Sequence, residues 1–320
     1  MKKIGVLTSG GDAPGINAAI RAVVRSGCEN GMEVYGIRRG FAGLLNGEIE
    51  LESLRSVSNI IHRGGTVLYS SRSKEFQTEE GMQKAISFCK EVGIEGIVVI
   101  GGDGSFRGAR DLSLRGLPCV GVPGTIDNDI SCTDFTIGYD TCLNTILAMI
   151  DRIRDTMEAH DRCCVIEVMG CSAGFLALNS GIAGGATSIL IPEIEYDIKR
   201  DIIDRMKRTQ KAGKRHFIIV VAEGVGGVEE ISKKIEQETG VESRSVILGH
   251  VQRGGSPTAR DRVLASRMGY AALQLLLNGV GNRVVAIRKE EIVDFDIFEA
   301  LKTEKKIDAN LYRIAHEISI

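Results

Sequence analysis

The sequence carries no excess of charge of either sign: 40 basic side chains stand against 42 acidic ones, for a net charge of −2. Bulk charge therefore gives no reason to expect nucleic acid or a membrane as partner, and any basic site has to be local. Long hydrophobic runs are also missing. The apolar stretch behind Met1-Lys2-Lys3 is only Ile4-Gly5-Val6-Leu7, too short for a signal peptide, and no later run approaches the roughly 18 residues of a membrane span. Eight cysteines occur without a CxxC pair or any metal-ligand spacing. That predicts buried thiols in a reducing cytosol. No low-complexity linker interrupts the chain. The expectation is a soluble cytoplasmic protein.

What is present is ordinary globular composition, 43% apolar and 26% charged, which excludes disorder. A length of 320 residues exceeds what one hydrophobic core usually serves, so two α/β lobes are the default. Ile4–Leu7 reads as a buried strand ending in Thr8-Ser9-Gly10-Gly11-Asp12, followed by a helix in which Arg21 and Arg25 share a face. A strand, a glycine turn and a helix make the usual phosphate cradle, because backbone approaches closely and helix N–H groups point outward. A tight βα turn without ligand would look the same.

Met32–Gly36 reads as a second strand, Arg39–Gly47 as a glycine-punctuated loop, and residues 62–81 as a long polar loop holding Arg63, Arg72 and Lys74. A loop of that length inside a domain is more often functional than decorative. After a helix at Gly81–Val92, the strand Ile97–Ile100 ends in Gly101-Gly102-Asp103-Gly104-Ser105, repeating the Gly-Gly-Asp of the first strand. Two parallel strands finishing in one device place both turns on the carboxyl edge of a sheet, where α/β proteins bind ligands. Pro118–Val122 delivers a third loop, Pro123-Gly124-Thr125-Ile126-Asp127-Asn128-Asp129, to that edge.

These loops hold what phosphoryl transfer to an alcohol needs: donors for phosphate, carboxylates for Mg²⁺ at Asp103 and Asp129, and a carboxylate to take the hydroxyl proton. Taken alone, Asp-Asn-Asp would make Asx turns and nothing more. A helix over Thr141–Thr156, a strand Cys163–Val168, a turn at Met169-Gly170 and further strand–helix units to about residue 250 suggest the second lobe. The strand Phe217–Val221 leads into the turn Ala222-Glu223-Gly224, and a helix is expected over 197–211. The block His250-Val251-Gln252-Arg253-Gly254-Gly255-Ser256-Pro257 is polar and basic. Together with Arg162 and Arg244 it suggests a dianionic group on the substrate, although scattered arginines are usually solvated. A helix over Thr258–Asn278 and a strand over Arg283–Ile287 follow.

Over essentially its whole length the sequence resembles the bacterial ATP-dependent 6-phosphofructokinases. The matching blocks are Gly-Val-Leu-Thr-Ser-Gly-Gly-Asp (5–12), Ile-Gly-Gly-Asp-Gly-Ser (100–105), Pro-Gly-Thr-Ile-Asp-Asn-Asp (123–129), Glu-Val-Met-Gly (167–170), Ala-Glu-Gly (222–224) and Leu-Gly-His-Val-Gln-Arg-Gly-Gly-Ser-Pro (248–257). The resemblance implies a two-lobe α/β subunit with the active site in the cleft between the lobes, assembled as a homotetramer with shared sites. Residues 1–138 plus about 251–300 would form the nucleotide-binding lobe, and 139–250 plus about 301–320 the sugar-phosphate-binding lobe.

It further implies that ATP lies across Gly11, Arg72, Ser73, Gly102, Asp103, Gly104 and Ser105, with Mg²⁺ at Asp103 and Asp129. Thr125, Ile126 and Asp127 would meet fructose 6-phosphate, Asp127 as base, with Arg72 offsetting charge on the transferred group. Met169, Gly170, position 171, Glu223, His250 and Arg253 would contact the sugar phosphate, joined by Arg162 and Arg244 of a neighbouring subunit. An effector pocket for ADP or phosphoenolpyruvate would use Arg21, Arg25, Arg55, Arg154, Gly185, Lys214 and His216. Pyrophosphate users of the family carry an acidic residue at the position of Gly104 and a lysine at that of Gly124, so the two glycines favour ATP.

Three departures stand out. Cys171 replaces an arginine of the sugar-phosphate site; Thr187 and Ala212 replace an acidic and a basic residue of the effector pocket; and Gln77 stands where a basic residue is common near ATP. A pyrophosphate-dependent enzyme, a weakly active regulatory paralogue, and a lipid or NAD kinase sharing the Gly-Gly-Asp-Gly turn remain the alternatives.

Overall fold

Short apolar strands alternating with amphipathic helices build both sheets, and the inner strands are buried on both faces. The computed structural model describes residues 1–319. The chain begins with β1 (Lys3–Thr8), α1 (Ile16–Glu29), β2 (Glu33–Ile37), α2 (Gly40–Asn46) and β3 (Ile49–Leu51). It continues through α3 (Glu79–Val92), β4 (Ile97–Gly101), α4 (Asp103–Leu114) and β5 (Cys119–Pro123). Then come α5 (Tyr139–Ala159), β6 (Cys163–Val168), α6 (Phe175–Ala183), β7 (Ser188–Leu190), α7 (Asp204–Lys211), β8 (Phe217–Ala222), α8 (Val228–Thr239) and β9 (Ser243–Ile247). The last elements are α9 (Ala259–Leu277), β10 (Arg283–Arg288), β11 (Glu291–Asp296), α10 (Ile297–Ala300) and α11 (Ala309–Ile318).

Two units result, each with its own sheet. The first comprises residues 1–126, 130–141 and 253–305, and the second comprises 127–129, 142–252 and 306–320. The sheet of the first unit has the order β11-β10-β5-β4-β1-β2-β3, parallel except for the antiparallel edges β3 and β11. The sheet of the second has the order β7-β8-β6-β9 and is parallel throughout. This is the α/β architecture expected from the alternating pattern. In the first sheet the strand order reverses beside β1, with β2 to one side and β4 to the other, which opens a crevice at the carboxyl ends of β1 and β4.

Several boundaries differ from the sequence reading for physical reasons. The stretch Arg39–Gly47 is a helix, α2, not a loop: Phe41, Leu44 and Leu45 are buried at helical spacing. Its glycines serve close packing; a Cβ on Gly43 would lie 1.6 Å from the Arg38 carbonyl oxygen. The helix expected over 197–211 opens as a π-helical turn at Lys199–Ile203 before α7 begins. The edge strands β3 and β11 were not anticipated, since neither has a continuous apolar run. Six cysteines are buried, Cys28 is half-buried and Cys171 is exposed. Burial pushes the Cys89 and Cys119 thiols up to about 12, so they behave as small apolar groups. Among the described residues no helix is long and apolar enough to cross a membrane.

Candidate active site

In the first unit the loops after β1 and β4 and the start of the loop after β5 leave one sheet edge side by side, while Asp127–Asp129 of the third loop count with the second unit. Thr8 of β1 is paired with Ile100 of β4, and Gly101 of β4 with Pro123 of β5. The loops are joined by main chain. Ser9 N donates to Ile100 O at 3.0 Å and Gly124 N to Gly101 O at 3.0 Å. The Ser105 hydroxyl donates to Ser9 O at 2.9 Å. A Cβ on Gly101 would fall 2.3 Å from the Ser9 carbonyl oxygen, so only glycine permits this approach.

Helix α4 then starts at Asp103 behind Gly102, which has no side chain to cap it. The first bonds within the helix, Ser105 N and Phe106 N to Gly102 O, leave the N–H groups of Asp103 and Gly104 directed out of the helix end. Such an end attracts anions. A Cβ on Gly104 would meet nothing within 4 Å, so the space beside it is open, whereas one on Gly124 would press on Ile100 and Ile16.

The long loop after β3 is tied to this edge by residues that sequence reasoning did not single out for the task. The buried Asn17 side chain donates to the carbonyls of Arg63 and Gly64 at 3.0 and 3.2 Å, and accepts from Val67 N at 2.8 Å. Thr8 Oγ1 donates to Tyr69 O, and Ser70 Oγ to Gly10 O at 2.6 Å. These bonds deliver Arg72, which is exposed, beside the first glycine turn. The Ser73 hydroxyl accepts from Phe76 N at 3.1 Å, within the short 3₁₀ turn Glu75–Gln77. A sequence signal existed only for Asn17: a polar residue on the apolar side of α1.

In the third loop Thr125 and Asn128 are buried, Asp127 and Asp129 half-buried. Asn128 adopts φ 53°, a left-handed conformation that asparagine accepts more readily than most residues. Its placement between two aspartates thus has a backbone reason. The Ile126 side chain is fully buried, so only its main chain is available to a ligand.

Asp103 Oδ2 accepts from Arg107 Nε at 3.0 Å and Nη2 at 2.7 Å, which leaves Oδ1 outside that ion pair. Among the described residues no group of three or more His, Cys, Asp or Glu could hold a metal by itself. A hard cation that takes one or two carboxylates and completes its shell with phosphate oxygens and water, as Mg²⁺ does, fits this donor set.

In the second unit the turn after β6 is held by side chains. Glu223 Oε1 accepts from Gly170 N at 3.0 Å and also from Cys171 N. The fully buried Gln252 accepts from Met169 N at 3.0 Å and donates to Gly249 O at 2.9 Å. Gly170 has φ 144°, and a Cβ there would lie 2.5 Å from Ala173 O. Cys171, exposed at φ 57°, follows directly. His250 is exposed on the 3₁₀ turn Gly249–Arg253. The Arg253 guanidinium turns to the first glycine loop instead: Nη1 donates to Asp12 O at 3.3 Å and lies where a Cβ on Gly11 would be 2.4 Å away.

Arg162 and Arg244 lie elsewhere in the second unit. They share one carboxylate, Arg162 Nε donating to Glu242 Oε2 at 2.8 Å and Arg244 Nη2 to Oε1. The Arg162 hydrogen bond holds the Glu242 carboxyl below its usual range. Both arginines sit at the amino ends of β6 and β9, with Arg244 opposite Cys164, while Met169–Cys171 follow the carboxyl end of β6. At about 3.3 Å per residue the two ends are roughly 20 Å apart. The structure does not bring these groups to one ligand within a chain.

The effector candidates fall into two groups. On α1, Arg21 and Arg25 are one turn apart; burial first, then the charge of Arg25, lowers the pKa of Arg21. Arg55 is exposed in the same unit. In the second unit Arg154 Nη2 donates to Gly184 O and lies 3.8 Å from where a Gly185 Cβ would be. Burial, then Arg154 and Arg205, lower the pKa of Lys214. His216 is half-buried nearby in sequence, Thr187 is fully buried and Ala212 exposed.

A family model described as Phosphofructokinase matches residues 3–276. The ATP-dependent 6-phosphofructokinase of Bacillus subtilis is 59% identical over 320 residues, covering all of both chains. That of Halalkalibacterium halodurans is 58% identical over the same span. Among solved structures, phosphofructokinase from Saccharomyces cerevisiae superposes with a TM-score of 0.88 at 35% identity, over 94% of this chain and 45% of the yeast chain. A pyrophosphate-dependent phosphofructokinase from Marinobacter aquaeolei gives a TM-score of 0.87 at 24% identity, over 97% of this chain and 86% of the other, which speaks for the fold alone.

Proposed function

We infer, for a chain that belongs to the phosphofructokinase family, that it transfers the γ-phosphoryl group of ATP to the 1-hydroxyl of fructose 6-phosphate, yielding fructose 1,6-bisphosphate and ADP. The observation that carries the reading is the meeting of three loops, after β1, β4 and β5, at one sheet edge. The nucleotide phosphates rest on the N–H groups at the start of α4 and on the glycine turns, using Gly11, Gly102, Asp103, Gly104 and Ser105. Arg72 and Ser73 approach from the anchored loop, Arg72 to offset charge on the transferred group. Asp127 takes the proton from the sugar hydroxyl as its oxygen bonds to the γ-phosphorus and the bond to the β-phosphate oxygen breaks. Thr125 positions that hydroxyl. Asp103 and Asp129 would hold Mg²⁺, whose contribution is to neutralise phosphate charge.

The sugar phosphate would be held by Met169, Gly170, Glu223, His250 and Arg253. Because Arg162 and Arg244 sit a strand length from Met169–Gly170, they would serve a site on a neighbouring copy, as in a homotetramer with shared sites. The first unit is then the nucleotide-binding domain and the second the sugar-phosphate domain. The cations Arg21, Arg25, Arg55, Arg154, Lys214 and His216, with Gly185, would take an anionic effector, ADP or phosphoenolpyruvate. Six buried thiols suit a reducing cytoplasm.

Open space beside Gly104 favours the larger donor, ATP, over pyrophosphate. Assaying fructose 6-phosphate phosphorylation with ATP and with pyrophosphate tests the reading directly. Turnover with ATP alone is expected; turnover only with pyrophosphate, or with neither, would overturn it.

A further inference from the structure

Helix α9 uses one face, with Leu264, Met268, Leu273 and Leu276 buried, to pack into the first unit. Its other face forms one wall of a groove of about 400 Å³ that contains none of the residues assigned above. The opposite wall comes from the β10–β11 hairpin. There Val285 pairs with Asp294 and Ile287 with Ile292, so Val285, Ile292 and Asp294 share a face. Val284 and Ala286 point the other way, into the core.

The size falls within the range of small-ligand sites, roughly 300–1,000 Å³. The Tyr270 ring is 53% exposed on the wall, which makes it available as a stacking surface. The two charged residues of the lining differ in state. Asp294 is ion-paired with Arg283. Arg267 donates to the Glu290 main-chain carbonyl at 2.8 Å and, among the described residues, makes no ion pair with a carboxylate. The uncompensated charge of the groove is therefore positive, set beside an exposed aromatic ring and an apolar wall. Gln274 and Asn278 add neutral polar groups along the helix.

We propose that this groove binds a small organic anion with a flat apolar body, its charge on Arg267 and its body between Tyr270 and the hairpin. The geometry suits a planar ligand because the walls are a helix and a sheet face, and it selects anions because, among the described residues of its lining, Arg267 has no carboxylate partner.

The test is a fluorescence titration of the full chain, with ADP and fructose 6-phosphate in excess to fill the sites described above. The probes are 8-anilino-1-naphthalenesulfonate and N-phenyl-1-naphthylamine, which share a body and differ in the anionic group. Saturable binding of the sulfonate, at one per chain, is expected. Arg267→Gln should weaken it about tenfold, the scale of a charge-assisted hydrogen bond, and leave the neutral probe unchanged. Ala271→Trp should abolish binding of both, and so should Gln274→Trp, which fills the groove from the next turn. Unchanged sulfonate binding in either tryptophan variant that keeps the parent's circular dichroism and kcat would overturn the proposal. Equal loss of both probes in Arg267→Gln would overturn the anion preference. A change in sedimentation of Ala271→Trp with probe binding intact would assign the groove to contact between copies and likewise overturn it.

Discussion

The glycine turns of the first unit and the Met169–Cys171 turn of the second both present backbone N–H groups at the carboxyl end of a strand, but they are held in place differently. After β1 and β4 the chain is fixed by main-chain bonds and by close approaches such as Gly101 against the Ser9 carbonyl. After β6 it is fixed from outside, by the Glu223 carboxylate and the buried Gln252 amide. A site made of backbone leaves little room for substitution where chain meets chain, as at Gly101, where a Cβ would fall 2.3 Å from the Ser9 carbonyl oxygen. A site tied through its N–H groups leaves a side chain outside the ties, and that of Cys171, bound to Glu223 only through its N–H, is exposed.

The comparison breaks most sharply at the reacting atoms. Asp127→Ser should lower kcat by at least ~10²-fold with little change in ATP binding, the low end for loss of a general base. Steady-state kinetics with fructose 6-phosphate and ATP measure this, and a near-normal kcat would remove Asp127 from the role. Next in size is Gly101→Ala. The obstacle is a carbonyl oxygen that cannot rotate away, so the cost should be about 1–3 kcal/mol, the usual range for overpacking. Urea denaturation reads it against Gly104→Ala, where the space is open and the midpoint should hold or rise. Equal losses at both positions would mean that the close approach is not what makes the first turn intolerant.

On the other side of the comparison, Cys171→Arg adds a cation at an exposed position of the turn. It should tighten fructose 6-phosphate binding by roughly 1–3 kcal/mol, the scale of hydrogen bonds to charged groups. Isothermal titration gives the affinity. No gain would show that this turn draws its positive charge from elsewhere.

How much could be read in advance follows the same division. The repeated Gly-Gly-Asp and the Pro123–Asp129 loop were legible because glycine is required where backbone meets backbone, and that requirement is written in the residue itself. Asn17, Gln252 and Glu242 were not legible in their roles. Each acts on residues at least 46 positions away in the chain, or mediates between two others, and a buried amide has no periodicity to betray it. Strands β3 and β11 escaped because an edge strand needs no continuous apolar run. Helix α2 escaped because its glycines, read as loop punctuation, answer to packing, Gly43 against the Arg38 carbonyl and Gly40 against that of Thr8.

Strand β6 has one more consequence. It carries the Glu242-bound Arg162 at one end and the Glu223-tied turn at the other, and it is paired with β8 over Cys163–Val168 and with β9 over Cys163–Glu167. A paired strand neither shortens nor bends to bring its ends together, so it acts as an insulator between them. A change at Cys171 therefore leaves the charge balance around Glu242, at the other end, undisturbed.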